Sequence, residues 1–566
     1  MLPDRLLFIC FCLISPIFWA KDSSLEKVNL VSLKVLSYGL PLTGSIRLNA
    51  SPGEYRETHL HAGIDLSTGG VAGEAVLAVQ SGKVLRLKNT LRGSGRTVYL
   101  KHEDGLISVY AHLESLSPKL QALLPEGTGE FDFYDFFVQE NTSVAKGEVI
   151  AYSGESGSGY PHLHFELRST MARSSKYSIL LPGLEDKLPP KIESLQFYSL
   201  ESGRMIEESS VDKKGLSFEF QEAVGLAVCA FDSSSSSSGK LHLPILKLED
   251  AKEVLYKLKI KEVKFSKAPS PSLHFVPGAT HLSPTRYCYK LFSDHAFESP
   301  YIIEQTHQGY LFSGYHSLKL NLQDYHENST QLNFRVRVRG KQKPLSALEV
   351  FEKTARNRCV YGSNIEACVS KQHRNRPLKV RIKELDEGKS LKLAPVRNQV
   401  RNLIQIGPDE LYWTKRAKVR FKLEKDDSQK VYPLLYQAHR NSWSSLSFTR
   451  EKRQLEVSLL SPGILALAED RKAPWVNPRY RRVAGKRMDR FVHGVVEKGS
   501  GVDASSLILE CEGNKAQGVF DPDRSWIEIH SSCSQPIRFE LCDKVENCSA
   551  GFLRSRENEE ILEDRN

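Results

Sequence analysis

Pro161-His162-Leu163-His164-Phe165-Glu166-Leu167 is the stretch whose reading settles the fold. Its alternation of apolar and polar residues has the period of a half-buried β-strand, with Leu163, Phe165 and Leu167 on the inner face. The same period gathers His162, His164 and Glu166 on the other face, so two imidazoles project into one cleft. Well upstream, His61-Ala62-Gly63-Ile64-Asp65 adds a neutral nitrogen donor and a carboxylate oxygen. Two histidines and one aspartate fill three positions of a tetrahedral zinc and leave the fourth to water, as in a catalytic rather than a structural site. Val109-Tyr110-Ala111-His112-Leu113, at another expected strand end, supplies a further histidine for proton transfer.

Taken in order, the strings H-x-x-x-D, Y-x-H-L and H-L-H-F-E resemble the signatures of the lysostaphin-type, or LytM-like, zinc endopeptidases, which cut peptide cross-links of bacterial peptidoglycan. The resemblance also takes in Gly82-Lys83-Val84, Val144-Ala145-Lys146-Gly147-Glu148-Val149-Ile150 and the Gly154 to Gly159 turn, and covers roughly Gly44 to Arg168. It implies an antiparallel β-barrel or sandwich peptidase domain that binds one Zn2+ per chain through His61, Asp65 and His164. It makes His112 and His162 the catalytic pair, without saying which is the base, and a peptidoglycan peptide the substrate. The alternative it carries is a non-catalytic envelope scaffold or amidase activator on the same fold. Such relatives typically lose ligands, and here every one is kept. One string alone would be weak in a chain with 17 histidines, but three in order within a domain-sized span are specific.

Around the signatures, His59 repeats the spacing to His61 and reads as a rim residue. Glu166 reads as a solvated strand residue, with the orienting of a ligand as the other reading. Glu114 to Ser143 replaces a short connection of the compact members. Its run Phe131-Asp132-Phe133-Tyr134-Asp135-Phe136-Phe137 suits either a cleft wall or a subsidiary core.

The 566 residues exceed one domain. They are expected to form a signal peptide (1–20), a peptidase domain (21–186, core 44–168), a β-sandwich module (187–339), a basic, mainly β module (340–472), an immunoglobulin-like β module (473–556) and an acidic tail (557–566). The fold class is thus mainly β throughout. Leu6 to Trp19 is an apolar run of 14 residues, short for a span of about 20 and suited to a secretory signal cut after Ala20. Phe18 fits the small-residue rule poorly, so an uncleaved N-terminal anchor is the alternative; no later segment is apolar enough to cross a bilayer. Export to the periplasm or cell envelope follows, and with it the exclusion of nucleic acid as partner. The net charge of +10 suits polyanionic envelope surfaces, including peptidoglycan carboxylates.

Eight cysteines follow the leader, all beyond the peptidase region, and an even number in an exported chain points to disulfides. Cys359 with Cys368 is the easiest local pair, and Cys511, Cys533, Cys542 and Cys548 make two more. Asp324-Tyr325-His326-Glu327-Asn328 is echoed by Asp543-Lys544-Val545-Glu546-Asn547, each ahead of a closing strand, which suggests two related modules. Ser233 to Ser238 reads as a flexible loop or turn. Because every site residue precedes Arg168, a fragment from Lys21 to Asp186 is expected to hold zinc unaided.

Overall fold

Leu163, Phe165 and Leu167 are completely buried, and the strand carrying them, His162–Thr170, runs through the middle of an antiparallel sheet. The computed structural model describes residues 37–554 apart from internal segments, of which 277–285, 341–357, 370–380, 386–399 and 408–416 are the longest. The expected leader 1–20 and tail 557–566, together with Phe131 and Asp132, lie outside the described residues. Strand order in the first sheet is Leu48–Ala50, Ile64–Ser67, His162–Thr170, Ile107–Leu116, Arg96–His102, Gly82–Asn89 and Tyr134–Phe137. The register sets His164 opposite Asp65 on one side and Ala111 on the other, so motifs far apart in sequence become cross-strand neighbours. Ala75–Leu77 and Val149–Ser153 complete the unit, whose core includes Ile64, Leu66, Tyr110, Leu113, Ile150 and Phe165.

The long insertion is a peripheral element. Tyr134–Phe137 pairs with Gly82–Asn89 at the sheet edge farthest from Ile64–Ser67. There Tyr134 and Phe136 pack on the barrel core while Phe133 and Phe137 face solvent. This strand packs as a subsidiary core on the barrel, at the edge away from the strands that carry Asp65 and His164.

The described remainder of the chain is also almost wholly β. Between Lys191 and Val338, a five-stranded and a six-stranded sheet enclose a large core. Two five-stranded sheets follow, from Arg358–Tyr361 to Gly463–Glu469, and then a five- and a four-stranded sheet from Trp475–Val476 to Cys548–Leu553. Disulfides join Cys229 to Cys288, Cys359 to Cys368, Cys511 to Cys533 and Cys542 to Cys548. Among the described residues no helix is long and apolar enough to cross a membrane.

The first sandwich reaches into the peptidase unit. Tyr55 and Leu60, on the segment leading to His61, belong to the sandwich core, whereas Leu241 and Tyr325 of the sandwich region belong to the barrel core. The His242 amide donates to Ser51 Oγ (2.8 Å) and the Tyr325 hydroxyl donates to the Pro52 carbonyl (2.7 Å). The serine run is tied down as well: Ser237 Oγ donates to the Ser234 carbonyl (3.0 Å), and the Ser236 carbonyl accepts from the Leu48 amide (2.7 Å). Of the two readings from composition, loop or turn, its described residues form the turn, and one held in contact with the peptidase unit. The segment before His61 owes its shape to a second unit. A fragment ending at Asp186 would expose Tyr55 and Leu60. Contrary to the expectation from sequence, it should bind zinc about 10-fold or more weakly than the full chain in competition titrations with a chromophoric chelator, the scale of lost outer support. Equal affinities would show that the barrel shapes its own cleft.

Candidate metal centre and its flanking histidines

His61 lies at the end of a loop that closes on itself: the His61 amide donates to the Glu54 carbonyl (2.8 Å), and the Gly53 amide donates to the His61 carbonyl (2.7 Å). Gly63 lets the chain then pass against the neighbouring strand, since a Cβ there would sit 2.2 Å from the Phe165 carbonyl oxygen. Asp65 enters on Ile64–Ser67. His162 and His164 come from the inner strand, and His112 from Ile107–Leu116.

Three donor atoms converge. His61 Nε2 lies 2.9 Å from His164 Nδ1 and 3.1 Å from Asp65 Oδ1, and Asp65 Oδ1 lies 2.9 Å from His164 Nδ1. The remaining ring nitrogens decide the tautomers. His61 Nδ1 faces the Ser51 carbonyl at 3.0 Å and His164 Nε2 faces Glu166 Oε1 at 3.1 Å, and both acceptors require an N–H. The inward nitrogens are then lone pairs, set against each other and against a carboxylate. Such a trio is repulsive unless a cation or protons lie between them. A point about 2 Å from all three atoms exists, the distance at which zinc takes nitrogen and oxygen ligands. The donor set therefore fits zinc.

The charges respond in the same sense. Burial disfavours an ionised Asp65, yet the His61 charge and the hydrogen bond with His164 hold its carboxyl well below the usual range. Burial would lower His164, but hydrogen bonds to Asp65 and Glu166 raise it to about 9. Glu166, against burial, is held at about 2 by His164 and Arg168.

His112 and His162 flank this trio. Their rings are 4.6 Å apart, and that of His112 is 5.7 Å from His164. His112 Nδ1 donates to the Ser156 carbonyl (2.9 Å) and His162 Nδ1 to the Tyr160 carbonyl (2.9 Å), which leaves Nε2 of each as the acceptor. His162 Nε2 stands 3.6 Å from Asp65 Oδ1, farther than the converging donors. Burial, with the charges of His162 and His164, pushes His112 down to about 3; burial also lowers His162, against the pull of Asp65. Both are neutral bases near pH 7. His112 has φ 60°, a conformation that costs a residue other than glycine roughly 1–3 kcal/mol and is typical of functional positions. The Ser94 carbonyl accepts its amide and Ser156 holds its ring, so the strain is maintained from two sides.

Some of the site was not legible beforehand. Glu166 is 4% exposed and accepts two hydrogen bonds from Arg168, at 2.8 and 3.0 Å, while holding His164. The reading as a solvated residue is corrected: Glu166 orients a candidate ligand. Glu166→Gln should weaken zinc binding about 10- to 100-fold in a chelator competition; unchanged affinity would return it to a passive role. Ser51, Ser156 and Arg56, whose guanidinium lies 3.4 Å from Asp65 Oδ2, were also missed. His59 is exposed. Tyr160, 52% exposed, stacks on His162 at 4.8 Å and offers a substrate a flat aromatic edge.

Two other groupings with metal-ligand atoms, Cys359-Glu366-Cys368 and Glu540-Cys542-Cys548, are spent in disulfides. Residues 59–128 match the model of Peptidase family M23. The chain is 32% identical over 106 residues to the murein hydrolase activator NlpD of Escherichia coli, a stretch that is 19% of this chain and 22% of that protein. It is 33% identical over 106 residues to the outer membrane antigenic lipoprotein B of Haemophilus influenzae, covering 19% and 21%. Among solved structures, the catalytic domain of the prophage-encoded M23 protein EnpA from Enterococcus faecalis aligns at 22% identity with a TM-score of 0.17, over 23% of this chain and 86% of that one. The chain thus spans about a fifth of the length of these curated relatives.

Proposed function

From a chain whose N-terminal unit belongs to Peptidase family M23, the lysostaphin and LytM type, we propose a zinc-dependent endopeptidase that hydrolyses peptide cross-links of peptidoglycan in the cell envelope. The observation that carries this reading is the convergence of His61 Nε2, Asp65 Oδ1 and His164 Nδ1, with every outward ring nitrogen already committed to an acceptor.

His61, Asp65 and His164 would hold the ion, which when bound lowers the pKa of a coordinated water to about 7 and polarises a carbonyl. The protein's own part is proton traffic and orientation. Nε2 of His112 or His162 takes one proton of the attacking water, and that ring, now carrying an Nε2–H, hydrogen-bonds the oxyanion, while the lone pair on Nε2 of the other ring accepts from the water's second O–H and orients it. A proton then passes from Nε2 to the leaving amine. The hydrogen bonds from Nδ1 to the Ser156 and Tyr160 carbonyls keep both rings aimed throughout. Tyr160, exposed and stacked on His162, would offer an aromatic contact to a peptide that reaches the catalytic pair.

A second reading, activation of a separate murein hydrolase, is favoured by the similarity to the Escherichia coli murein hydrolase activator NlpD. Incubating the purified chain alone with peptidoglycan, with and without chelator, and weighing the fragments separates the two. Chelator-sensitive release of peptide-cleaved fragments supports the endopeptidase. Release only when an amidase is added supports the activator.

A further inference from the structure

Away from the cleft, two buried groups of carboxylates repeat each other. Asp186 lies in the segment joining the peptidase unit to the first sandwich. Asp232 follows the strand Val224–Phe231, and Asp324 opens the turn between Gly314–Gln323 and Ser329–Val338. Correspondingly, Asp470 follows Gly463–Glu469, Glu497 follows Arg490–Val496, and Asp543 opens the turn between Ile537–Cys542 and Cys548–Leu553. One carboxylate oxygen from each member of a trio lies within 4.8 Å of the other two.

Most of the surrounding bonds recur, although Asp470 Oδ2 accepts the Ser500 amide (2.8 Å) where Asp186 Oδ2 accepts none. Asp324 accepts from the Asn328 amide (2.9 Å) and from Asn328 Nδ2 (2.8 Å), which also donates to the Asp186 carbonyl (3.2 Å). Asp543 accepts from the Asn547 amide (2.9 Å) and Asn547 Nδ2 (2.7 Å), which also donates to the Asp470 carbonyl (3.0 Å). Asp186 Oδ1 accepts the Leu188 amide and Asp470 Oδ1 the Lys472 amide, both at 3.1 Å. Glu327 and Glu546, at the same place in the two turns, have φ 73° and 64°.

What these bonds leave over points to a ligand. Asp186 is 7% exposed, and its Oδ2 is buried without a hydrogen-bond partner. Among the described residues no Lys, Arg or His forms an ion pair with any of the six acids. Burial and the neighbouring acids push Asp232 up to about 8 and Glu497 up to about 7, so the trios are uncompensated as they stand. All the donors are hard oxygens, and a span within 4.8 Å suits an ion bound at about 2.3–2.6 Å. Zinc favours nitrogen and sulfur at shorter range, and magnesium keeps most of its water.

We propose that each trio binds one calcium ion, which fastens the segment entering a β-sandwich to that sandwich. Calcium joins the strand end, the turn and the incoming segment at both joints.

The test uses the full chain, stripped of metal on a chelating resin, reloaded with one equivalent of zinc and dialysed against radiolabelled calcium up to about 1 mM, the range of extracellular calcium modules. Two calcium ions should bind, one in Asp232→Asn or Glu497→Gln, and none in the double variant, with zinc content unchanged. Calcium should also raise the melting temperature of the wild-type chain and leave that of the double variant where it is. No calcium on the wild-type chain, or two on the double variant, overturns the proposal. Displacement by an equal concentration of magnesium overturns the choice of ion. Should a variant fail to fold by circular dichroism, the wild-type stoichiometry still decides.

Discussion

His164→Ala is expected to leave the chain with almost no bound zinc. The imidazole supplies one corner of the donor triangle, and its loss leaves His61 and Asp65 with a two-ligand remnant. The sheet should survive, because the strand keeps Leu163, Phe165 and Leu167 in the core and the Cβ at position 164 stays in the cleft. Elemental analysis after dialysis should show about one zinc per wild-type chain and well under a tenth of that in the variant. Full occupancy would mean that the metal sits elsewhere, and the trio would then be an ordinary polar cluster.

Replacing His112 or His162 should separate chemistry from binding. Each is assigned to proton transfer, so the alanine variants should lose about 10²- to 10⁴-fold in turnover on a soluble cross-link peptide while keeping their zinc. The φ of 60° at His112 complicates alanine, which adopts that conformation poorly. Asn tolerates it far better, so His112→Asn is the cleaner variant: its melting temperature should stay near wild type as activity falls. Turnover within a few-fold of wild type in both His112→Asn and His162→Ala would remove the two histidines from the mechanism.

Period-two patterning carried much of this in advance, because the alternation Leu163, Phe165, Leu167 against His162, His164 depends only on the pleat of one strand. The local disulfide Cys359–Cys368, whose partners face each other across one hairpin, was legible for the same reason. Glu166 was misread because its burial depends on Arg168 folding over it and on the tautomer of His164, neither of which a strand pattern encodes. Tyr55 and Leu60 show a different blindness. Each reads as an apolar residue before a motif, and nothing local says that the core they join is made by residues from Leu195 onward. Pairing of Cys229 with Cys288 likewise depends on two strands separated by 59 residues coming into register.

The interlocking of Tyr55 and Leu60 with one core, and of Tyr325 with the other, makes the first two units a single thermodynamic object. Occupancy of the cleft and folding of the sandwich then share one free energy: an ion bound at His61 adds RT ln(1 + [ion]/Kd) to the stability of both. Linkage runs the other way with equal size. A destabilised sandwich lowers the fraction of chains able to hold the ion although none of the three donors comes from it, so damage to the core that Tyr55 and Leu60 join is registered at the cleft.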